Sequence, residues 1–426
     1  MPHIPQLIIL GNGFDLHCEL KSSYKDFLHN VILDNIGENF GIRQMKSGVS
    51  GFWEKLLFEY YKKYGDVDYK WCDIEIIIKK TLWQIYYGDN SSTNINHGIW
   101  KKAFECSRIG RDSDVDASQF NDPISKYLFY KCVALFDYIS NKGITGTAQE
   151  KLHLLIEHLL QELHNLEKRF SKYLKDNIVN PDNDKEINRT YLINAVNLLA
   201  QITGFTNNHF DEISDLMYKD TVQVCEQTGP KSKYYSYKEK NFLTKEFSKL
   251  KNIHILSFNY TDLFDILQVD RPCKYNNVHG KLYGNSCAES CNDCNIIFGI
   301  DDSLIQSQND ESELYLFSKT YRKMLNATVP QNILPINNDI PLEIKFYGHS
   351  LSQADYSYFQ SIFDYYNLYG NSNVSLTFFY SKGFMQNTEI YKLINTYGRT
   401  LNNQEQGKNL IHKLLLEDRL KIVEID

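Results

Sequence analysis

Residues 6–10 (QLIIL) form a short, almost wholly apolar run that stops on Gly11-Asn12-Gly13, with Phe14 and Asp15 following. A run this short and bounded by glycine reads as a strand covered on both faces, because such strands show no polar alternation. The two glycines permit a sharp reversal, and a helical pattern begins in 22–28. Strand, tight turn and helix in that order is the opening unit of a Rossmann-like nucleotide-binding α/β domain.

Strand-like runs return at 253–258 (IHILSF), 277–279, 296–299 (IIFG), 344–348 (IKFYG), 376–380 (LTFFY) and 420–425, with helical patterns between several of them. Apolar strands alternating with helices predict an α/β fold with a mainly parallel sheet covered by helices. From about residue 52 to 247 the pattern differs: FWEKLLFEYYKKY, DIEIIIKKTLWQIYY, ISKYLFYKCVALFDYI and KLHLLIEHLLQELHNLEKRFSKYL all carry apolar residues at helical spacing. At 426 residues the chain exceeds the usual size of one hydrophobic core. The expected organisation is therefore a nucleotide-binding α/β domain built from 1–50 and 249–426, with a large, mostly helical insertion at 51–248.

The formal net charge is −7, so no overall field draws nucleic acid, and nucleic acid is not an expected partner. No stretch of about 18 apolar residues occurs, so no transmembrane helix is expected. The N-terminus lacks the basic flank and longer apolar core of a secretory signal, and nine scattered cysteines fit reduced thiols. A cytoplasmic protein is expected on these grounds.

Ligands of parallel sheets lie beyond the carboxyl ends of the strands. There the chain places Gly11-Asn12-Gly13, then Asn259-Tyr260-Thr261-Asp262, His279-Gly280, Gly299, and Gly348-His349-Ser350 followed by Asp355. Two glycines let a backbone approach a diphosphate, whose charge a helix N-terminus favours. Plain alternatives stand beside this: an ordinary tight turn, a helix N-cap for Asp15, a strand-terminal turn for Asn259, a satisfied polar residue for His279. Convergence on one crevice favours the ligand reading.

The segments GNGFD, WCDIE at 71–75, SFNYT at 257–261, VHG at 278–280, IIFGIDD and GHSLSQAD together resemble the AbiH family of bacterial phage abortive-infection proteins, in order along nearly the whole chain. The same skeleton is more distantly similar to sirtuin-like NAD-binding proteins, whose GAG loop, T-x-N-x-D and HG segments enclose NAD. That resemblance implies that Gly11, Asn12, Gly13 and Asp15 hold the diphosphate side and Thr261 lines the ligand. It further implies that Asn259 sits by the nicotinamide ribose, that His279 is the general base, and that Gly348, Ser350 and Asp355 lie on the adenosine side. Asn12 and Asp15 stand where sirtuin loops have Ala and Ser. Glu75 matches the W-x-D-x-E segment and is a candidate to reach the crevice.

The implied function is an anti-phage effector that hydrolyses NAD to nicotinamide and ADP-ribose. The alternative is a non-catalytic nucleotide-sensing module signalling to a partner or toxin. A phage trigger of unknown nature is expected, and a homo-oligomer is compatible with the aromatic-rich helices. Cys287, Cys291 and Cys294, near Cys273 and His279, are dense enough for a zinc site of the kind sirtuins carry after their HG segment. Three ligands are not four, so free thiols are the favoured reading.

Overall fold

The computed structural model describes residues 4–29, 51–64, 71–88, 98–110, 113–179, 185–204, 250, 252–267, 271, 273–282, 296–301, 313–325, 332–336, 340–402 and 407–425. In chain order the elements are β1 (Gln6–Leu10), α1 (Gly13–His17), α2 (Tyr24–Phe27), α3 (Phe52–Tyr64), α4 (Trp71–Tyr87), α5 (Ile99–Ile109), α6 (Ser113–Ala117), α7 (Pro123–Asn141), α8 (Ala148–Leu174) and α9 (Lys185–Thr203). There follow β2 (Ile253–Ser257), α10 (Leu263–Leu267), β3 (Lys274–Asn277), α11 (Lys319–Leu325), β4 (Leu342–Tyr347), α12 (Tyr356–Tyr365), β5 (Val374–Ser381), α13 (Asn387–Thr400), α14 (Leu410–Leu416) and β6 (Leu420–Ile425). They form two compact units, one of residues 1–22, 174–295 and 328–426, the other of 23–173 and 296–327.

The first unit holds a six-stranded sheet in the order β3-β2-β1-β4-β5-β6, with every pairing parallel. This is a Rossmann-like α/β fold. β1 is central, Gln6 standing opposite Ile253 of β2 and Glu343 of β4. All five β1 residues are buried, which explains the unbroken apolar run. Leu7, Ile9, Ile344, Phe346, Leu376 and Phe378 pack with Phe359 and Phe363 of α12, Leu393 and Ile394 of α13, and Leu414 of α14. On the other face the amide of Gln6 donates to the carbonyl of Thr203, at the end of α9, at 3.0 Å. Helices therefore cover both faces.

The second unit is helical. In it Tyr24, Phe27, Phe170 and Phe298 form an aromatic cluster, Phe170 and Phe298 having centroids 5.5 Å apart. The run 296–299, expected as a strand of the sheet, is not one: its apolarity serves this cluster, and the chain makes only an isolated parallel bridge between Ile300 and Ser318. β3 ends at Asn277, because the chain turns at Val278–His279 and Gly280 adopts φ 82°.

A buried ion pair ties α8 to α11. Arg322 donates from Nη1 and Nη2 to the two carboxylate oxygens of Glu167 at 2.6 and 2.7 Å, and Glu167 also accepts the Phe298 N–H at 2.7 Å. Removing one member strands a buried charge. Arg322→Met is expected to lower stability by about 3 kcal/mol, and Glu167→Gln in the same chain to restore most of it, as read from urea unfolding midpoints. An Arg322→Met loss that Glu167→Gln leaves unchanged would contradict this account.

Candidate functional site

The strand order reverses between β1 and β4, so the switch point lies where their carboxyl-end turns meet. The turns touch backbone to backbone. The Gly11 N–H donates to the Tyr347 carbonyl at 3.0 Å, and the Gly13 N–H to the Gly348 carbonyl at 2.8 Å. A Cβ on Gly11 would lie 2.4 Å from the Cα of His349, and one on Gly13 2.6 Å from the Cα of Gly348. Gly348 has φ +70°, and its Cβ would meet the Phe14 nitrogen at 2.5 Å. These three glycines are thus required by the close approach of two turns, and the N–H groups of Gly11 and Gly13 are engaged by β4. Asn12 precedes α1, and its Oδ1 accepts the Ser22 hydroxyl at 2.8 Å.

Asp15, on α1, is buried and links the β1 turn to the β2 turn. Its carboxyl accepts the Thr261 hydroxyl and a hydrogen bond from the Asn259 side chain. The Asn277 amide completes the tie, donating to the carbonyls of Asn259 and Thr261 at 2.8 Å each. Burial pushes the Asp15 carboxyl up to about 7, against the lowering by Thr261 and Asn259. The Asn259 Oδ1 is buried with no hydrogen-bond partner among the described residues.

The Asp15 shift has a sign that can be worked out. With the folded value raised to about 7, the native state holds a proton there that the unfolded chain has released above about pH 4. Stability therefore falls as pH rises from about 4 to about 7, by on the order of 1 kcal/mol per pH unit. Asp15→Asn, which keeps an acceptor for Thr261, is expected to flatten that slope in unfolding experiments. An identical slope in both proteins would remove Asp15 as its source.

His279 follows β3. Its Nε2 lies 2.8 Å from Oδ1 of Asp355, whose Oδ2 lies 3.3 Å from Nε2 of His349. All three are buried. The Asp355 carboxylate, expected on the adenosine side of a ligand, thus stands between two histidines. The Phe258 ring meets both edge-on, with centroids 5.4 Å from His279 and 4.5 Å from His349. Ser350 is half-buried beside His349.

Two features escape sequence reasoning. His349 stands in the strand-end series, yet its neighbours Gly348 and Ser350 carry the recognisable spacing. Further along the sheet edge, the Tyr347 hydroxyl lies 3.0 Å from His17 Nδ1 and 2.7 Å from Ser381 Oγ, joining the last residues of β4, α1 and β5. The cleft beside it is lined by Gly348, His349, Leu351, Tyr380 and Gln386.

In the second unit Glu75 forms an ion pair with the buried Lys319. Cys287, Cys291 and Cys294 lie outside the described residues, and among those described no group of three or more His, Cys, Asp or Glu side chains is arranged to hold a metal ion. No helix among them is long and apolar enough to cross a membrane. The sequence matches the family described as Bacteriophage abortive infection AbiH over residues 7–380. No curated protein and no solved structure matches the chain.

Proposed function

As a chain that belongs to the AbiH family and so has a role in phage abortive infection, the protein is, we propose, a cytoplasmic effector that binds NAD at the β1/β4 switch point and hydrolyses it to nicotinamide and ADP-ribose once a phage trigger is present. The observation that carries this reading is the His279–Asp355 pair: a carboxyl oxygen 2.8 Å from Nε2 accepts the proton of that nitrogen and leaves the lone pair of Nδ1 as the base. A distant similarity to sirtuin-like NAD-binding segments supports it.

In the proposed reaction water attacks C1′ of the nicotinamide ribose, His279 Nδ1 takes the proton of that water, and the C–N electron pair leaves on neutral nicotinamide. The oxocarbenium-like transition state is served by neutral dipoles rather than cations. Asn259 fits that part, since its buried Oδ1 has room in its hydrogen bonding for a ribose hydroxyl. Thr261 and Asp15 hold the Asn259 turn, while Gly11, Asn12 and Gly13 form the floor beneath the diphosphate and Gly348 and Ser350 its edge.

Incubation of the purified protein with NAD, with and without lysate from phage-infected cells, tests the reading. Release of nicotinamide is expected; unchanged NAD under both conditions rejects hydrolysis. A second reading, a nucleotide sensor without turnover that signals to a partner or toxin, is favoured by one observation: the N–H groups of Gly11 and Gly13 are already bonded to β4. It predicts calorimetric binding of NAD without cleavage, and phage protection that survives His279→Ala.

A further inference from the structure

We propose that His349 is a positioning residue: it holds Asp355 in place on His279 and so decides which nitrogen of His279 is basic. The inference rests on the His279 reading above and goes beyond it, to a residue that the reaction itself does not touch.

The hydrogen bonds determine the state of His349. The backbone N–H of Leu351 donates to its Nδ1 at 2.9 Å. A backbone N–H can only donate, so Nδ1 carries no proton and the neutral ring must carry its proton on Nε2. Asp355 Oδ2 lies 3.3 Å from that Nε2, within ion-pair range, while Oδ1 accepts from His279 Nε2 at 2.8 Å. Each oxygen of one carboxylate therefore faces one imidazole Nε2. A carboxylate that rotated away from His279 would also carry Oδ2 away from the His349 ring.

The turn is built to present His349 this way. Gly348 and Leu351 both have positive φ, +70° and 54°. For Leu351 that conformation is strained, and the N–H of the same residue meets the ring two residues earlier. Phe258 and Phe359 stand edge-on to the His349 ring, with centroids at 4.5 and 5.0 Å, and leave it little freedom to turn. A histidine serving only to fill this space would need neither the strained turn nor the bond to Nδ1.

The test is nitrogen NMR of the full chain carrying 15N-histidine, at a pH above the ordinary imidazole range. In the wild type both His349 and His279 are expected as the Nε2–H tautomer. In His349→Leu, which removes the polar edge facing Oδ2, His279 is expected to become a mixture of tautomers. In His349→Gln, whose amide can still donate to Asp355, it is expected to return to Nε2–H. If NAD is cleaved, His349→Leu lowers kcat by about 10²-fold with KM little changed, and His349→Gln recovers most of the rate. A wild-type His349 protonated on Nδ1 overturns the proposal even if His349→Leu does not fold, and so does an unaltered His279 tautomer in a folded His349→Leu. Absence of NAD turnover in every protein, with the tautomer shifts intact, instead removes the hydrolysis reading and leaves the positioning role standing.

Discussion

Replacing His279 by Gln is expected to slow NAD cleavage by about 10²–10⁴-fold, with binding of NAD retained. Gln is close to His in length and keeps an amide N–H for Asp355, so the buried carboxylate stays paired and the fold is spared an isolated charge. What Gln lacks is a basic nitrogen, so the water attacking C1′ has no group to take its proton. The loss should appear in kcat rather than in KM, because proton transfer occurs in the transition state and not in the bound ground state. Nicotinamide release by chromatography measures the rate, and calorimetry measures NAD binding. A His279→Gln protein that cleaves NAD at the wild-type rate would take the base away from His279. One that no longer binds NAD would assign His279 to binding.

The second large effect is on stability and concerns the glycines of the switch point. Gly348→Ala is expected to cost about 3–5 kcal/mol, combining the left-handed backbone penalty with overpacking against backbone atoms that have no rotamer to yield. The Phe14 nitrogen and the Gly13 carbonyl carbon would lie 2.5 and 2.7 Å from the new Cβ. Two other glycines separate the contributions. Gly383 has φ +84° and nothing within 4 Å of a built Cβ, so Gly383→Ala isolates the conformational penalty of about 1–2 kcal/mol. Gly11 carries no positive φ but meets backbone at 2.4 Å, so Gly11→Ala isolates the collision. Denaturant midpoints should rank the losses Gly348 first, Gly11 next and Gly383 least. Equal losses at Gly348 and Gly383 would show that the two turns separate at little cost.

Strand positions in this chain are legible where an apolar run meets glycine or a polar turn, as at Leu10–Gly11 and Tyr347–Gly348. The run 296–299 misleads because burial of Phe298 against Tyr24 and Phe170 and burial in a sheet demand the same residue types. Within the site, position along the strand ends was legible and partnership was not. Asp15 and Thr261 are 246 residues apart, and His279 and Asp355 are 76 apart. No local spacing announces such pairs, because only the strand order brings them together. The glycines show a subtler gap: their presence in the turn is readable, but whether they approach a phosphate or another turn depends on β4.

The placement of β1 at the middle of the sheet bears on how the protein is made. Of the sheet's strands β1 is translated before the others, yet its neighbours begin at Ile253 and Leu342, so one edge has no partner until about 240 further residues have been synthesised and the other until about 330. At ordinary rates of about 5–20 residues per second the nascent chain carries an almost wholly apolar strand with an unpaired edge for roughly 15–70 s. Such a segment is a natural client for a ribosome-associated chaperone. By the same order of synthesis Gly11, Asn259, His279 and Asp355 meet only late in translation, so a truncated chain ending before β4 lacks Gly348, His349 and Asp355 and with them one side of the crevice.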